Sequence, residues 1–487
     1  MSRKFFRDIS ASTLQVLVNQ LLGLAVFFIL SIYLSKDHYG ELNWSLSVFM
    51  FANTLLSLRL EQIVVKRSAT EKDSTRIMSL FLLHVLLSGV SFYLLLLMLQ
   101  IIFPSFFAIH SLLLLIGISQ LLGFIASPFK QVANGKERFD YLAIMSSTGN
   151  FVRVILLTVV LLFFSITMEG VLIIFILSSL VELLVCFFLA RFRMNINISF
   201  NIRFNDYKNL LKESLPQIKA AFLMAGITRI DWILLGLFST SAVVAEYSFA
   251  YRAFELSPFP LLIIAPVLLS RFSKFFASNN NESLFLKKRE LRQLIRAEMI
   301  LATLVPLVLN IIWTPFVDFL TGNKYGAVNQ ITFLVLSFCI PFQYISNIIW
   351  SAHFAQDRLK LILRITFITF CIVLIGDLFF IPLFNAKGAA LVYLVAMIIE
   401  YINYMRSSPL SKTRESWLSL IICLLAATLS GFLAFVLFQS TGWRLVFAIC
   451  LFFLLLLATR QLRSTDLLYV IQTVKKSKSQ PIPLTAT

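Results

Sequence analysis

The sequence is poor in charge and lacks the motifs of common catalytic sites. Only 14% of its 487 residues are charged, and a mean hydropathy of +0.87 excludes both a soluble globule and a disordered chain. No GxxxxGK[ST] phosphate loop occurs, which excludes nucleotide hydrolysis by that route. The four histidines show no HExxH spacing, and no connection is long enough for a catalytic domain. We therefore expect an integral membrane protein that is not an enzyme and needs no cofactor.

Cysteine is also scarce. The five cysteines all lie in apolar stretches without close spacing, so we interpret them as small buried hydrophobic residues, not metal ligands or disulfides. The net charge of +18 is scattered over short connections and forms no basic patch with interleaved aromatic residues. This distribution argues against a nucleic-acid partner and favours contact with anionic membrane lipids.

Long apolar segments dominate the chain. About fourteen have the roughly 17–25 residues that a membrane-spanning helix needs. The predicted spans are 12–34, 43–63, 77–101, 110–129, 141–165, 170–190, 213–238, 243–269, 294–317, 327–351, 361–383, 387–405, 416–438 and 442–460.

The basic residues predict the orientation of these spans. If the N-terminus is cytoplasmic, roughly 33 of the 42 Lys and Arg fall on inner connections and tails, and about four fall on outer loops. Such asymmetry places both termini in the cytoplasm. Arg3, Lys4 and Arg7 precede an apolar run too long for a signal peptide, so we expect a retained first helix.

An internal repeat predicts the domain organisation. Gly170 opens span six with Glu182 twelve residues later, and Gly388 opens span twelve with Glu400 twelve residues later. The recurrence predicts two parallel six-helix halves, followed by two additional helices. The predicted domains are 1–205, 206–405, 406–460 for the additional helices, and 461–487 for a basic cytoplasmic tail.

Ionisable residues inside the spans are candidates for a transport site, because a charge at the bilayer centre costs from about 3 to more than 10 kcal/mol. Span seven contains Arg229 and Asp231, which point about 200° apart on a helix and so need different partners. Arg252 and Glu255 in span eight are i,i+3 neighbours that can screen each other. For these four residues, lining of a cavity is the favoured interpretation.

Other ionisable residues leave two interpretations open. Arg59, Glu61 and Lys219 lie near the predicted inner face, where their side chains can reach either a cavity or the interface. The glutamates at the matching repeat positions suit a structural role at least as well as a functional one. Arg153 lies within span five, and Asp377 is expected either within the membrane or close to its outer surface.

Prolines predict a bend in span eight. Pro258, Pro260 and Pro266 each remove a backbone donor from the helix. Such a bend is tolerated only beside protein or water, so we expect span eight to border a cavity.

Several short segments carry a family resemblance. They are Leu30-Ser31-Ile32-Tyr33-Leu34 with Tyr39-Gly40, Gln131 with Asn134-Gly135-Lys136, and Ala245-Glu246-Tyr247 with Tyr251-Arg252. Together with fourteen spans, two six-helix halves and charges in spans two, seven and eight, the chain resembles a Wzx-type flippase. This is the polysaccharide-transporter branch of the multidrug/oligosaccharidyl-lipid/polysaccharide (MOP) superfamily. The resemblance implies an all-α membrane fold, with two bundles forming a V around a cationic cavity.

The resemblance also implies a function. Such flippases move undecaprenyl-pyrophosphate-linked oligosaccharides, such as O-antigen units, from the cytoplasmic to the outer leaflet of the bacterial inner membrane. We expect Arg59, Arg153, Lys219, Arg229 and Arg252 to bind the pyrophosphate or glycan. Ion coupling or charge balance, with a proton or sodium ion, would fall to Asp231, Glu61 and Glu255. A polysaccharide polymerase and a chain-length regulator are candidate partners.

Three alternatives remain open on the sequence. A flippase for the peptidoglycan precursor lipid II would share the fourteen spans and the cationic cavity. A multidrug antiporter would share the fold, but it calls for an anionic cavity and usually twelve spans. A membrane scaffold for glycosyltransferases would use the charges only for structural pairing. The balance of Arg and Lys over acids in the central spans favours an anionic substrate.

The predicted orientation is testable by chemical labelling. Single cysteines introduced at Ser35 and Ser239 should react with an impermeant thiol reagent added outside intact cells. Cysteines at Ser278 and Ser411 should react only after the membrane is opened. The reverse pattern of labelling would overturn the orientation.

Overall fold

The protein is helical throughout the part described by this computed structural model, which covers residues 3–70, 74–199, 203–257, 281–407 and 414–462. The helices are α1 (Arg3–Tyr33), α2 (Lys36–Leu56), α3 (Leu60–Thr70), α4 (Thr75–Ile102), α5 (Pro104–Ile109), α6 (Leu112–Gly135), α7 (Phe139–Phe163), α8 (Met168–Phe188), α9 (Phe204–Phe238), α10 (Ser241–Leu256), α11 (Asn281–Thr321), α12 (Gly326–Ser337), α13 (Cys339–Ala355), α14 (Leu359–Ser407), α15 (Arg414–Leu437) and α16 (Thr441–Ala458). No strand occurs in these ranges.

The helices confirm the prediction of an all-α membrane protein. Among the described residues, ten helices are long and apolar enough to cross a bilayer, or eleven if the bent pair α2 and α3 counts as one span. A helix satisfies its own backbone hydrogen bonds, which is what hydrocarbon surroundings require. Each of the fourteen predicted spans contains helix, and α14 holds two of them, 361–383 and 387–405. A total of fourteen is therefore compatible with the structure.

Two breaks interrupt the apolar helices. α14 changes direction at Asn385, whose φ of 51° and ψ of −135° are not helical, so the boundary predicted near residue 385 is a real one. The predicted span 43–63 is not continuous, since α2 and α3 meet at a 53° bend. Leu58 and Arg59 form this bend with φ of 49° and 59°, a region that costs non-glycine residues about 1–3 kcal/mol.

His84 satisfies a backbone group that the bend would otherwise expose. Its Nε2 lies 2.7 Å from the carbonyl oxygen of Leu56, the last residue of α2, and donates to it. Its Nδ1 then accepts from the hydroxyl of Tyr207, 2.8 Å away in α9. Burial raises the pKa of Tyr207, which keeps this hydroxyl protonated as a donor. The bend is thus held by partners from α4 and α9.

The chain divides into two compact units. One comprises residues 1–249 with 370–389, and the other comprises residues 250–369 with 390–487. α10 and α14 contribute residues to both. The units reflect packing, whereas the predicted halves 1–205 and 206–405 reflect an internal repeat, so the predicted domain boundaries stay a prediction. The part of span eight in which prolines predict a bend, 258–269, and most of the tail lie outside the described residues.

In the first unit, α6 packs against α8, α1 against α7, and α2 against α9. The contact between α2 and α9 depends on Gly236, because a Cβ at this position would overlap the indole of Trp44. Trp44 is 3% exposed, its Nε1 donates to the carbonyl oxygen of Ile233 at 3.1 Å, and its ring stacks on His110 at 3.9 Å. A large side chain with a buried donor thus joins three helical segments.

In the second unit, α11 is central and packs against α12, α13, α15 and α16. Trp313 stacks on Phe333 with ring centroids 3.7 Å apart. Asn310 donates to the Ser337 hydroxyl at 2.8 Å. The Asp318 carboxylate accepts from the backbone amides that begin α12, at 2.6 and 3.0 Å. Large apolar side chains elsewhere on these helices are exposed, as expected of a surface that faces lipid.

The contact at Gly236 generates a prediction about stability. Gly236→Ala should destabilise the protein by about 1–3 kcal/mol, because the methyl group forces the Trp44 ring out of its packing. Gly123→Ala in α6 is the matched control, since a Cβ there meets nothing within 4 Å. Thermal unfolding in detergent should give a lower midpoint for the first variant and an unchanged or higher one for the second. Equal midpoints would contradict the packing described here.

Candidate functional site

Two buried aspartates from distant parts of the chain come together in the first unit. Asp231 on α9 is 1% exposed, and Asp377 on α14 is 0% exposed. The two carboxylates are close enough to interact electrostatically. Asp231 accepts from the hydroxyl of Tyr247 at 2.5 Å and from the backbone amide of Trp232 at 2.8 Å. Neither oxygen of Asp377 accepts a hydrogen bond from a described residue.

The aspartate pair suits the binding of a positive charge. Two carboxylates that share a buried position repel each other, and a proton or another cation relieves that repulsion. Tyr247 donates to Asp231, whereas neither oxygen of Asp377 accepts a hydrogen bond from a described residue, so Asp377 is the member of the pair with oxygens available to a cation. Among the described residues, no group of three or more His, Cys, Asp and Glu is arranged to hold a metal ion.

Arg229 lies two positions before Asp231 on α9, about 200° around the helix, and is 9% exposed. Its guanidinium lies over the indole of Trp232, 5.2 Å from the ring centroid. Such a cation–π contact stabilises a buried arginine and orients its planar donor group. Arg229 contacts the ring of Trp232, whereas Asp231 accepts from the backbone amide of Trp232 and from the hydroxyl of Tyr247.

Arg153 belongs to a second polar group, between α7 and α8. Its Nε donates to Ser178 at 2.9 Å, its Nη1 to Asn150 at 3.1 Å and its Nη2 to Ser179 at 3.0 Å. The guanidinium also lies 4.7 Å from the centroid of Phe175. Each of the three nitrogens of Arg153 therefore donates a hydrogen bond within the protein, which indicates a structural role in joining α7 to α8.

Glu182 next to this group is paired as well. Its carboxylate forms an ion pair with Lys130 on α6. Because the pair ties α6 to α8 inside the first unit, it supports the structural interpretation of this glutamate.

Arg59 and Glu61 lie together at the bend between α2 and α3. Glu61 stands in the first turn of α3, faces Ser57 and is within electrostatic range of Arg59. The helix dipole favours a negative charge at this end. A charged pair at a broken span is a common arrangement where transporters bind ligands. Lys219, by contrast, is exposed on α9.

Arg252 and Glu255 form the predicted i,i+3 pair in the second unit. The Nη1 of Arg252 donates to the Glu255 carboxylate at 2.9 Å. About a third of each side chain is accessible, 32% for Arg252 and 30% for Glu255. The pair thus neutralises charge and leaves about a third of the Arg252 side chain accessible.

The second unit also contains an apolar cavity of about 390 Å³. Pro306, Leu334 and Phe432 are among its lining residues, and Arg444 contributes a charge. The Arg444 guanidinium lies 4.4 Å from the centroid of Phe435, and its Nε donates to the carbonyl oxygen of Phe438 at 2.6 Å. A cavity of this size and composition suits a hydrocarbon chain.

Sequence reasoning missed one member of the aspartate pair. Asp377 was placed either within the membrane or near its surface and was not counted among the site residues. The signal that could have found it is its setting, since an unpaired acid inside an apolar span needs a partner elsewhere in the fold. What the sequence could not supply was the identity of that partner, 146 positions away in the chain.

Solved structures with the same fold are transporters and flippases. The lipid II flippase MurJ in an inward closed conformation superposes with a TM-score of 0.69 at 16% identity, covering 91% of this chain and 97% of that one. An inward-facing multidrug resistance MATE family transporter of the MOP superfamily superposes with a TM-score of 0.63 at 17% identity, covering 83% of this chain and 99% of that one. A third structure is a MOP superfamily transporter from Pyrococcus furiosus, described as having a binding pocket of reverse polarity. It superposes with a TM-score of 0.54 at 15% identity, covering 83% of this chain and 94% of that one.

No curated protein sequence matches the chain. A family profile does match, described as polysaccharide biosynthesis protein, over residues 5–276. This range covers more than half of the chain and includes the aspartate of α9 and the arginines of α7, α9 and α10. The chain therefore belongs to the polysaccharide biosynthesis protein family, and it is a multi-pass membrane protein with the fold of the MOP superfamily.

Proposed function

We propose that this protein is a Wzx-type flippase that moves an undecaprenyl-pyrophosphate-linked oligosaccharide, such as an O-antigen unit, across the bacterial inner membrane. The observation that carries the proposal is the family match combined with the fold of a lipid II flippase. The first relates the chain to polysaccharide synthesis, and the second relates it to movement of a lipid-linked molecule between leaflets. A polysaccharide polymerase and a chain-length regulator would then receive the product.

Buried and half-buried arginines suit the charged part of this substrate. A pyrophosphate carries two or more negative charges, and the planar guanidinium fork binds its oxygens in pairs. Arg229 has a buried, ring-supported guanidinium, and Arg252 has an accessible one. Arg59 lies at a helix break, where the backbone can change direction during transport. Arg153 is a weaker candidate because its three nitrogens are engaged.

Directed transport needs a source of free energy, and the aspartate pair is our candidate for coupling to an ion gradient. A proton or sodium ion taken up by Asp231 and Asp377 would neutralise their repulsion in the closed first unit. Release on the other side of the membrane would restore it. Because such an ion binds the two conformations with different affinity, its gradient can bias the exchange between them.

The substrate can be tested in reconstituted vesicles. Wild-type protein should speed the transfer of polyprenyl-pyrophosphate-linked oligosaccharide between leaflets, measured by protection from an added glycosidase. Arg252→Ala should slow transfer by about tenfold or more. Arg252→Lys should transfer at a rate between those of the Ala variant and the wild type, because lysine keeps the charge but lacks the planar guanidinium fork. Arg138→Ala is the matched control, since Arg138 is also ion-paired with a nearby carboxylate but lies in a connection. It should transfer at the wild-type rate.

The same vesicle assay can compare the proposed oligosaccharide lipid with a second candidate substrate. The fold similarity to MurJ favours lipid II as the alternative cargo. Vesicles that hold lipid II should show little acceleration if the proposal is right. Faster transfer of lipid II than of the oligosaccharide lipid would move the assignment to a peptidoglycan-precursor flippase, and transfer of neither would refute both.

The coupling role of the aspartate pair gives a further prediction. Transfer in the wild type should respond to an imposed proton or sodium gradient, and Asp377→Asn and Asp231→Asn should each remove the response. Asp37→Asn, at an exposed position in the first turn of α2, serves as the control and should keep it. If transfer by both Asn variants still responds to the gradient, the two carboxylates do not couple transport to an ion and serve only to balance charge.

A further inference from the structure

A third carboxylate is buried without a partner, in the second unit. Glu298 lies in α11 and is 1% exposed. Neither of its carboxylate oxygens accepts a hydrogen bond from a described residue. The position falls within the span Arg296–Thr321, among apolar residues. Glu298 is therefore separate from the aspartate pair, which belongs to the first unit.

Among the described residues, none donates a hydrogen bond to Glu298. Tyr344 on α13 is the titratable residue that faces it electrostatically. The hydroxyl of Tyr344 donates to the carbonyl oxygen of Ser257 at 3.3 Å, so its one proton is directed away from the carboxylate. Arg296 is two positions away on the same helix, which places it on another face.

Among the described side chains of the helices packed on α11, none supplies a countercharge at this position. α12 contains no titratable residue. Of the titratable side chains that the structure describes on the other three helices, α15 contributes Cys423, α16 contributes Cys450 and Arg444, and α13 contributes Cys339, Tyr344 and His353. Arg444 is engaged near the opposite end of the α11 span, where it shares the apolar cavity with Pro315.

An ionised carboxylate is unstable in such a place. Removing an unpaired charge from water costs several kcal/mol even after the protein relaxes, and a neutral carboxylic acid costs far less. Other acids in the spans avoid this cost by pairing, as Glu182 does with Lys130 and Glu255 does with Arg252. A metal cation would require several further oxygen ligands, which no grouping of described acidic side chains provides.

We propose that Glu298 is a proton-binding site of the second unit, distinct from the aspartate pair. One oxygen of the carboxylate takes up a proton and becomes a neutral acid in the conformation seen here. When the helices around α11 open to water, the acid releases that proton to solvent and ionises. Binding of the proton is a property of this buried position, whereas its use in driving transport rests on the proposed function.

Labelling with a hydrophobic carbodiimide tests the proposal directly. The reagent modifies protonated carboxyl groups in apolar surroundings, and peptide mass spectrometry of the full-length protein in liposomes locates the adduct. Modification of Glu298 should exceed that of the ion-paired Glu255 by about tenfold or more and should decline as the pH is raised. Glu298→Gln should remove the adduct from this peptide. No adduct at Glu298 at any pH, or one independent of pH, would overturn the proposal.

A second measurement separates proton binding from a purely structural role. Glu298→Gln keeps the shape of the neutral acid, so it should fold and should lose part of the pH dependence of the thermal midpoint. The wild type should lose stability relative to this variant as the pH rises, because only the wild type must then bury a charge. If the variant fails to accumulate, Glu298→Asp, which keeps a carboxyl group, should be labelled in place of Glu298. Parallel pH curves for wild type and Gln variant would contradict the proposal. Neither readout involves a substrate, so failure of the flippase assignment would leave both results interpretable.

Discussion

A charged group in the hydrocarbon core of a bilayer has no water to bond, so the protein itself must supply its partner. Much of the described interior follows from this constraint. Lys130 neutralises Glu182, Arg153 distributes its nitrogens over two serines and an asparagine, and Arg252 pairs with Glu255 along one helix. Each arrangement joins neighbouring turns or neighbouring helices, so the need to compensate charge also fixes which helices pack together.

The same constraint separates structural charges from functional candidates. A charge with a full set of partners stabilises the fold and has little left to offer a ligand. Asp377 and Glu298 differ, because both are fully buried and neither accepts a hydrogen bond from a described residue. Each can become stable by taking up a positive charge and unstable by losing it. One lies in each compact unit, and the two proposals assign a cation-binding role to each of them.

Helix breaks show where the backbone departs from the arrangement that hydrocarbon favours. The bend at Leu58 and Arg59 needs positive φ at two consecutive residues, and His84 from α4 satisfies the carbonyl left at the end of α2. This compensation keeps the charged Arg59 on a bent backbone. A transporter that exchanges between conformations can use such a point as a hinge or as part of a binding surface.

The sequence by itself determined the all-α membrane class, the position of nearly every helix, and the break near Asn385, because these depend on hydropathy and turn residues within about 20 positions. It also predicted the Arg252–Glu255 pair that the structure shows, whereas the cavity-lining role of Arg229 and Asp231 stays a prediction. The bend at Arg59 and the meeting of Asp231 with Asp377 were decided only by the tertiary structure. They depend on contacts between helices far apart in the chain, and local patterns carry no information about which distant residue will compensate a charge.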